Sequence, residues 1–139
     1  MKKITAALAV LLAGSLPALA HDVPSEIAKS PPTGAYQAVS GLVKLPDFLP
    51  GLGQLFVDPA TLPAGPFLAY DRDGALVSTI YMLPIAQLSD PDKRFDDLAA
   101  PGGNVDHVDV YFNAGHPGVE EPHAHVVLWH VDDEARVAK

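Results

Sequence analysis

FLAYDRDGALVSTIYML, residues 67–83, decides the fold class. Two runs rich in aromatic and β-branched residues, 67–70 and 75–83, flank Asp71-Arg72-Asp73-Gly74. A tight reversal with glycine where positive φ is needed, set between such runs, is the signature of a β-hairpin. Working outwards, residues 54–57 read as another short strand, and residues 35–43 (AYQAVSGLV) resemble one. On the C-terminal side, residues 105–113 alternate, with Val108, Val110 and Phe112 on one face and His107, Asp109 and Tyr111 on the other. Residues 123–131 form the last predicted strand, reached through a Gly/Pro-rich loop at 114–122. Residues 84–98 are the one helical stretch: Pro84 suits a first helical position, Pro91 splits the run, and Pro101-Gly102-Gly103 ends it. Short strands with frequent Pro/Gly punctuation predict an all-β domain. The expected form is a compact antiparallel sandwich or partly open barrel with one or two short helices.

The chain has 139 residues, enough for a single ordinary domain. Its start is expected to lie outside that domain. Met1-Lys2-Lys3 is basic, residues 4–16 are almost wholly apolar, and Ala18-Leu19-Ala20 is an A-x-A cleavage site. Residues 1–20 therefore read as a secretory signal peptide. Ser15 stands where a lipoprotein would carry its lipidated Cys, so the expected product is exported, periplasmic or secreted, and has no lipid anchor. Residues 21–33, with Pro24, Pro31 and Pro32, read as an extended arm. The β domain spans 34–131, and DDEARVAK, residues 132–139, reads as a charged tail or, alternatively, a frayed helical turn. Within the domain, residues 45–52 carry two prolines and several leucines, and are expected to cover the core or, alternatively, to act as a ligand lid.

Composition excludes several functions. The net charge of −8 becomes more negative when Lys2 and Lys3 leave with the signal peptide. So acidic a chain is repelled by phosphate backbones and anionic lipid, which argues against nucleic-acid and membrane-surface partners. No apolar run after Ala20 is long enough for a transmembrane helix, so no membrane anchor is expected. With no Cys, there can be no thiol nucleophile, thiolate metal site or disulfide. No G-x-S-x-G elbow or Gly-rich phosphate loop is present, and Asp71/Asp73 and Asp132/Asp133 read as turn and tail residues.

The chemistry concentrates near the C-terminus. Five of the six histidines lie between residues 107 and 130, four of them in GHPGVEEPHAHVVLWH, residues 115–130. His123 and His125 are two apart, so on a strand their rings share a face. The 114–122 loop returns His116 towards that face. A hairpin closed by this loop sets Asp109 or Tyr111 near the pair, depending on register, and Glu120 and Glu121 lie on the loop itself. Imidazole binds divalent ions while neutral near pH 7, and its second N–H remains available for an outer anchor. His116, His123 and His125, with Glu121 or Asp109 as candidate fourth ligand, thus suit Zn²⁺, Cu²⁺ or Fe²⁺/Mn²⁺. His130 falls on the opposite face and reads as structural, His107 as a surface residue, and Trp129 as packing under a loop or rimming a pocket. Cleavage after Ala20 would also make His21 an N-terminal residue able to chelate Cu²⁺ through amine and imidazole.

Two family resemblances attach to these residues. Pro122-His123-Ala124-His125 is similar to the first metal motif of cupins, although Trp129 and His130 stand where those proteins carry a Glu. More extensively, the chain resembles a family of small exported bacterial proteins of unknown function. Its members carry a Leu-Pro segment, a strand ending in Gly-His-Pro, and a Pro-His-Phe-Asp-Phe-His strand. Leu83-Pro84, Gly115-His116-Pro117 and Pro122-His123 follow that order over roughly residues 65–131. By this resemblance His125 stands at the family's Asp and Val127 at its second strand His. It implies a β-rich exported domain and no particular activity. The expected function is that of an exported metal-binding protein. The alternatives are a metal-dependent enzyme activating water or oxygen at the same site, and a ligand or protein interaction module whose histidines only rim a pocket.

Overall fold

Six antiparallel strands form one open sheet in the computed structural model, which describes residues 34–138. The expected signal peptide, the His21 terminus and the whole extended arm lie outside the described residues. The strands are β1 (Gln37–Ala38), β2 (Gln54–Val57), β3 (Phe67–Tyr70), β4 (Leu76–Pro84), β5 (His107–Asn113) and β6 (His123–Trp129), in spatial order β1-β2-β3-β4-β6-β5. Two short helices, α1 (Val39–Leu42) and α2 (Ile85–Leu88), accompany them. The protein is thus all-β, and its sheet does not close into a barrel.

The β3–β4 hairpin is built by its turn. The Asp71 carboxylate accepts hydrogen bonds from the backbone N–H of Asp73 (3.0 Å) and Ala75 (2.8 Å), while Gly74 sits at φ +82°. Any side chain there meets the steric cost of the left-handed region. Gly74→Val is therefore expected to destabilise the fold by about 1 kcal/mol or more, read as a lower denaturation midpoint. An unchanged midpoint would contradict the role given to this turn.

Three segments depart from expectation. Of the strand expected over residues 35–43, only Gln37 and Ala38 pair with β2; the chain then coils into α1, and Val39 packs against the core. Folding an apolar side chain over the sheet wins over extending an edge pairing. The helix expected over 84–98 lasts only from Ile85 to Leu88. Beyond it the Asp90 side chain accepts from the Asp92 N–H (3.0 Å) and the Asp90 carbonyl from the Lys93 N–H (3.1 Å), a local turn around Pro91 that displaces further helix. The expected charged tail is not loose, because a 3₁₀ turn, Glu134–Val137, buries Val137 in the core. Its neighbour Arg136 forms an ion pair with the buried Asp71 carboxylate.

The core lies on one face of the sheet. Leu55, Val57, Phe67, Ala69, Ile80, Met82, Val127 and Trp129 meet there, and Phe48, Leu49 and Leu52 of the 45–52 loop cover them. On the other face Tyr81 donates to the Ala99 carbonyl. His130 donates from Nδ1 to the Asn104 carbonyl (3.0 Å) and accepts at Nε2 from Thr79 (2.9 Å), which accounts for its structural role. β5 alternates as expected, but its polar residues face the covered side. Val108, Val110 and Phe112 remain 52%, 67% and 64% exposed along the outer edge strand. No helix among the described residues is long and apolar enough to cross a membrane.

Candidate metal centre

β6 lies between β4 and β5, and this placement builds the site. His123 is opposite Pro84 on one side and Asn113 on the other; His125 is opposite Met82 and Tyr111. Both imidazoles point to the core face and are essentially inaccessible, at 0% and 2% exposure. The loop between β5 and β6 supplies the third. His116 and Val119 exchange backbone hydrogen bonds of 2.9 Å in each direction, around Pro117 and Gly118. Pro followed by a glycine at φ +92° is the pattern of a type II turn, which turns the His116 ring back towards β6. Its centroid lies 4.9 Å from that of His123 and 5.7 Å from that of His125. One ligand nitrogen from each of His116, His123 and His125 falls within 4.8 Å of the others.

Hydrogen bonds at the far side of each ring define the tautomers. His123 Nδ1 lies 2.7 Å from the Glu121 carbonyl and His116 Nδ1 3.1 Å from the Pro117 carbonyl. A carbonyl only accepts, so both Nδ1 atoms carry protons and both Nε2 atoms present lone pairs. His125 completes the group: its Nε2 is 2.9 Å from His123 Nε2, and its Nδ1 is 3.1 Å from the Tyr111 hydroxyl. Without an ion, His125 Nε2–H donates to His123 and Tyr111 donates to His125. For His125 Nε2 to hold an ion its proton would have to sit on Nδ1, where the Tyr111 oxygen would accept it. Two nitrogens bound to one ion at bond lengths of about 2.0–2.1 Å stand about 2.9–3.4 Å apart at octahedral to tetrahedral angles. The His123–His125 separation already lies in that range.

Burial and the neighbouring His123 and His116 rings lower the His125 pKa from its ordinary value of 6.5 to about 4. The ring therefore stays neutral well below the pH at which free histidine protonates. In the unfolded chain it takes up a proton near pH 6.5. The unfolded state binds more protons between these values, so ion-free stability is full above pH 6.5 and falls towards pH 4. The expected loss is roughly 2–3 kcal/mol. His107 works in the opposite sense, because hydrogen bonds to Asp106 and Glu134 raise its pKa. The informative comparison is between the wild type and His125→Gln, whose unfolding free energy should vary less between pH 4.5 and 7. Identical pH dependence in the two would contradict this assignment.

The sequence named two acids as candidate fourth ligands, and the structure brings neither to the three-histidine group. Asp109 pairs with Val127 rather than with His125, and its carboxylate accepts from the Trp129 indole N–H at 2.9 Å. Glu121 contributes its backbone carbonyl to His123, and its side chain is not among the converging ligand atoms. Tyr111 is the β5 residue that reaches the pair, through register and a ring stacked on His125 at 4.9 Å. Sequence reasoning placed it near the pair without giving it a role. A second group, His107, Asp109 and Glu134, also has ligand atoms within 4.8 Å of one another. There both His107 nitrogens face carboxylates, Asp106 at 2.9 Å and Glu134 at 2.8 Å, an arrangement that favours imidazolium over a metal ligand.

Beside the three histidines is a cavity of about 280 Å³. Leu45, Leu49, Pro50, Leu52, Leu55 and Met82 make its apolar wall, and Tyr111, Asn113, His116 and His125 its polar end. The 45–52 loop, expected as core cover or lid, thus covers the core and also walls this cavity.

Fold and site together define a small open-sheet β protein with a three-histidine group, two of its rings buried, that could hold a metal ion. The chain belongs to the TTHB210-like family. The profile of that family, described as hypothetical protein TTHB210, matches residues 71–112. The crystal structure of hypothetical protein TTHB210 from Thermus thermophilus is similar at 42% identity and a TM-score of 0.58, over 72% of this chain and 90% of that one. No functionally curated protein matches the chain. The profile match stops before the histidine loop, so the family supports the fold, and function rests on the site.

Proposed function

We propose that this is an exported metal-binding protein in which His116, His123 and His125 hold one divalent ion on the C-terminal β-hairpin. The observation that carries it is the arrangement of the three rings. Each has Nδ1 anchored on an oxygen while the Nε2 atoms of His123 and His125 meet at 2.9 Å with His116 beside them. Anchoring the outer nitrogen is how proteins orient histidine ligands and raise their basicity. An all-imidazole set suits Zn²⁺ and Cu²⁺ and also accepts Fe²⁺ or Mn²⁺. Export is supported by the basic, apolar and A-x-A pattern of residues 1–20. The partner this reading implies is a metal ion or a small molecule, not nucleic acid or a membrane.

The cavity favours a second reading, a metal-dependent enzyme activating water or oxygen. Three protein ligands leave a coordination position for substrate, as catalytic sites require and closed structural sites do not. Calorimetric titration of Zn²⁺ and of Cu²⁺ into the purified protein tests the metal reading common to both. Binding of a single ion with Kd below about 100 μM is expected. If neither ion binds at that level, the Tyr111–His125–His123 relay is a structural network rimming the cavity.

A further inference from the structure

We propose that the cavity beside the three histidines binds a small carboxylate with an apolar tail, its head on the ion and its tail among Leu45, Leu49 and Leu52. This rests on the metal reading above. Charge balance is the first reason. Three neutral imidazoles contribute no negative charge, and the structure brings neither Asp109 nor Glu121 to them. A divalent ion held there would keep its full charge beside two inaccessible rings, which favours an anion over neutral water as the remaining ligand. No carboxylate lines the cavity to supply one, so the anion comes from solution.

The cavity wall specifies the rest of the ligand. His116 and His125 both line it, so the position between them opens on it. Tyr111 and Asn113 stand at the same end. In the ion-bound arrangement the Tyr111 oxygen accepts from His125, leaving its own O–H to donate. The Asn113 side-chain oxygen is used by the Gly115 N–H at 2.9 Å, which leaves its NH2 as donor. A carboxylate meets both demands, with one oxygen for the ion and one for these donors. The remaining wall is aliphatic, and no Lys or Arg lines it. Anion binding should therefore depend wholly on the ion. A volume of about 280 Å³ lies just below the range of drug-sized pockets and fits a short aliphatic or aromatic body.

The test is calorimetry with acetate, butyrate and hexanoate on the full chain, with and without saturating Zn²⁺. On the Zn²⁺-loaded protein, affinity should rise roughly fourfold per buried methylene, and no carboxylate should bind the ion-free protein. Leu45→Asn, which alters the wall at a residue outside the core cluster, should flatten the dependence on chain length and leave Zn²⁺ affinity unchanged. With Zn²⁺ bound, hexanoate no tighter than acetate would overturn the proposal. Equal hexanoate affinity without Zn²⁺ would overturn it too, and both results would leave the metal site standing. Absence of Zn²⁺ binding would overturn both.

Discussion

His123→Ala and His125→Ala are each expected to abolish most of the thermal stabilisation that Zn²⁺ or Cu²⁺ confers. An ion that binds the folded hairpin and not the unfolded chain stabilises by about 2.7 kcal/mol at a hundredfold excess over Kd. Both rings leave the same face of β6 and their Nε2 atoms are 2.9 Å apart, so removing either breaks the close pair and leaves only one β6 ring with His116. The quantity to measure is the rise in melting temperature on adding ion, referred to each variant's own ion-free value, because truncating a buried ring also costs packing. His130→Ala should keep nearly the full rise, since that ring bonds Thr79 and Asn104 on the other face. Tyr111→Phe removes the hydroxyl that anchors His125 and should weaken binding by about tenfold. Equal rises in all four variants would contradict the site.

Asp71→Ala is expected to destabilise the ion-free protein by about 3 kcal/mol. This carboxylate is 3% exposed and holds the β3–β4 turn through two backbone N–H groups and the C-terminal 3₁₀ turn through Arg136. Removing one partner of such a pair leaves polar groups without their acceptor, the costly half of the exchange. Asp71→Asn keeps an oxygen for the two N–H groups but sets its NH2 against Arg136 where Oδ2 accepted, so the turn survives, the ion pair is lost, and the cost should be smaller than that of Asp71→Ala. Arg136→Ala should fall between, since the guanidinium is partly exposed and its loss leaves the turn intact. Urea denaturation of the three variants ranks them, and an Asp71→Ala midpoint equal to that of the wild type would contradict the linkage.

The hairpin at Asp71–Gly74 was legible in the sequence because local chemistry specifies it: glycine at positive φ and an aspartate placed to accept from the turn. β2 and β3 were legible for the same reason, as short apolar runs bounded by Gly, Pro and Asp. The segments misjudged are those settled by distant partners. α1 forms because Val39 finds the core, and the C-terminal turn is ordered because Val137 and Arg136 meet residues more than sixty positions earlier. The convergence of His116, His123 and His125 was legible from the His-x-His spacing and a loop rich in Pro and Gly. The fourth-ligand choice was not, because a two-residue shift of register, which keeps every side chain on its face, separates Asp109, opposite Val127, from Tyr111, opposite His125. The aliphatic cavity depends on the path of the 45–52 loop, which no local pattern encodes.

Membership of a family described only as hypothetical places the weight of the functional conclusion on the ligand set itself. X-ray absorption spectroscopy of the Zn²⁺-loaded protein reads that set directly. Three imidazole nitrogens at about 2.0–2.1 Å, falling to two or fewer in His123→Ala, is the predicted result. A shell of water and carboxylate oxygens, unchanged by His123→Ala, would contradict it.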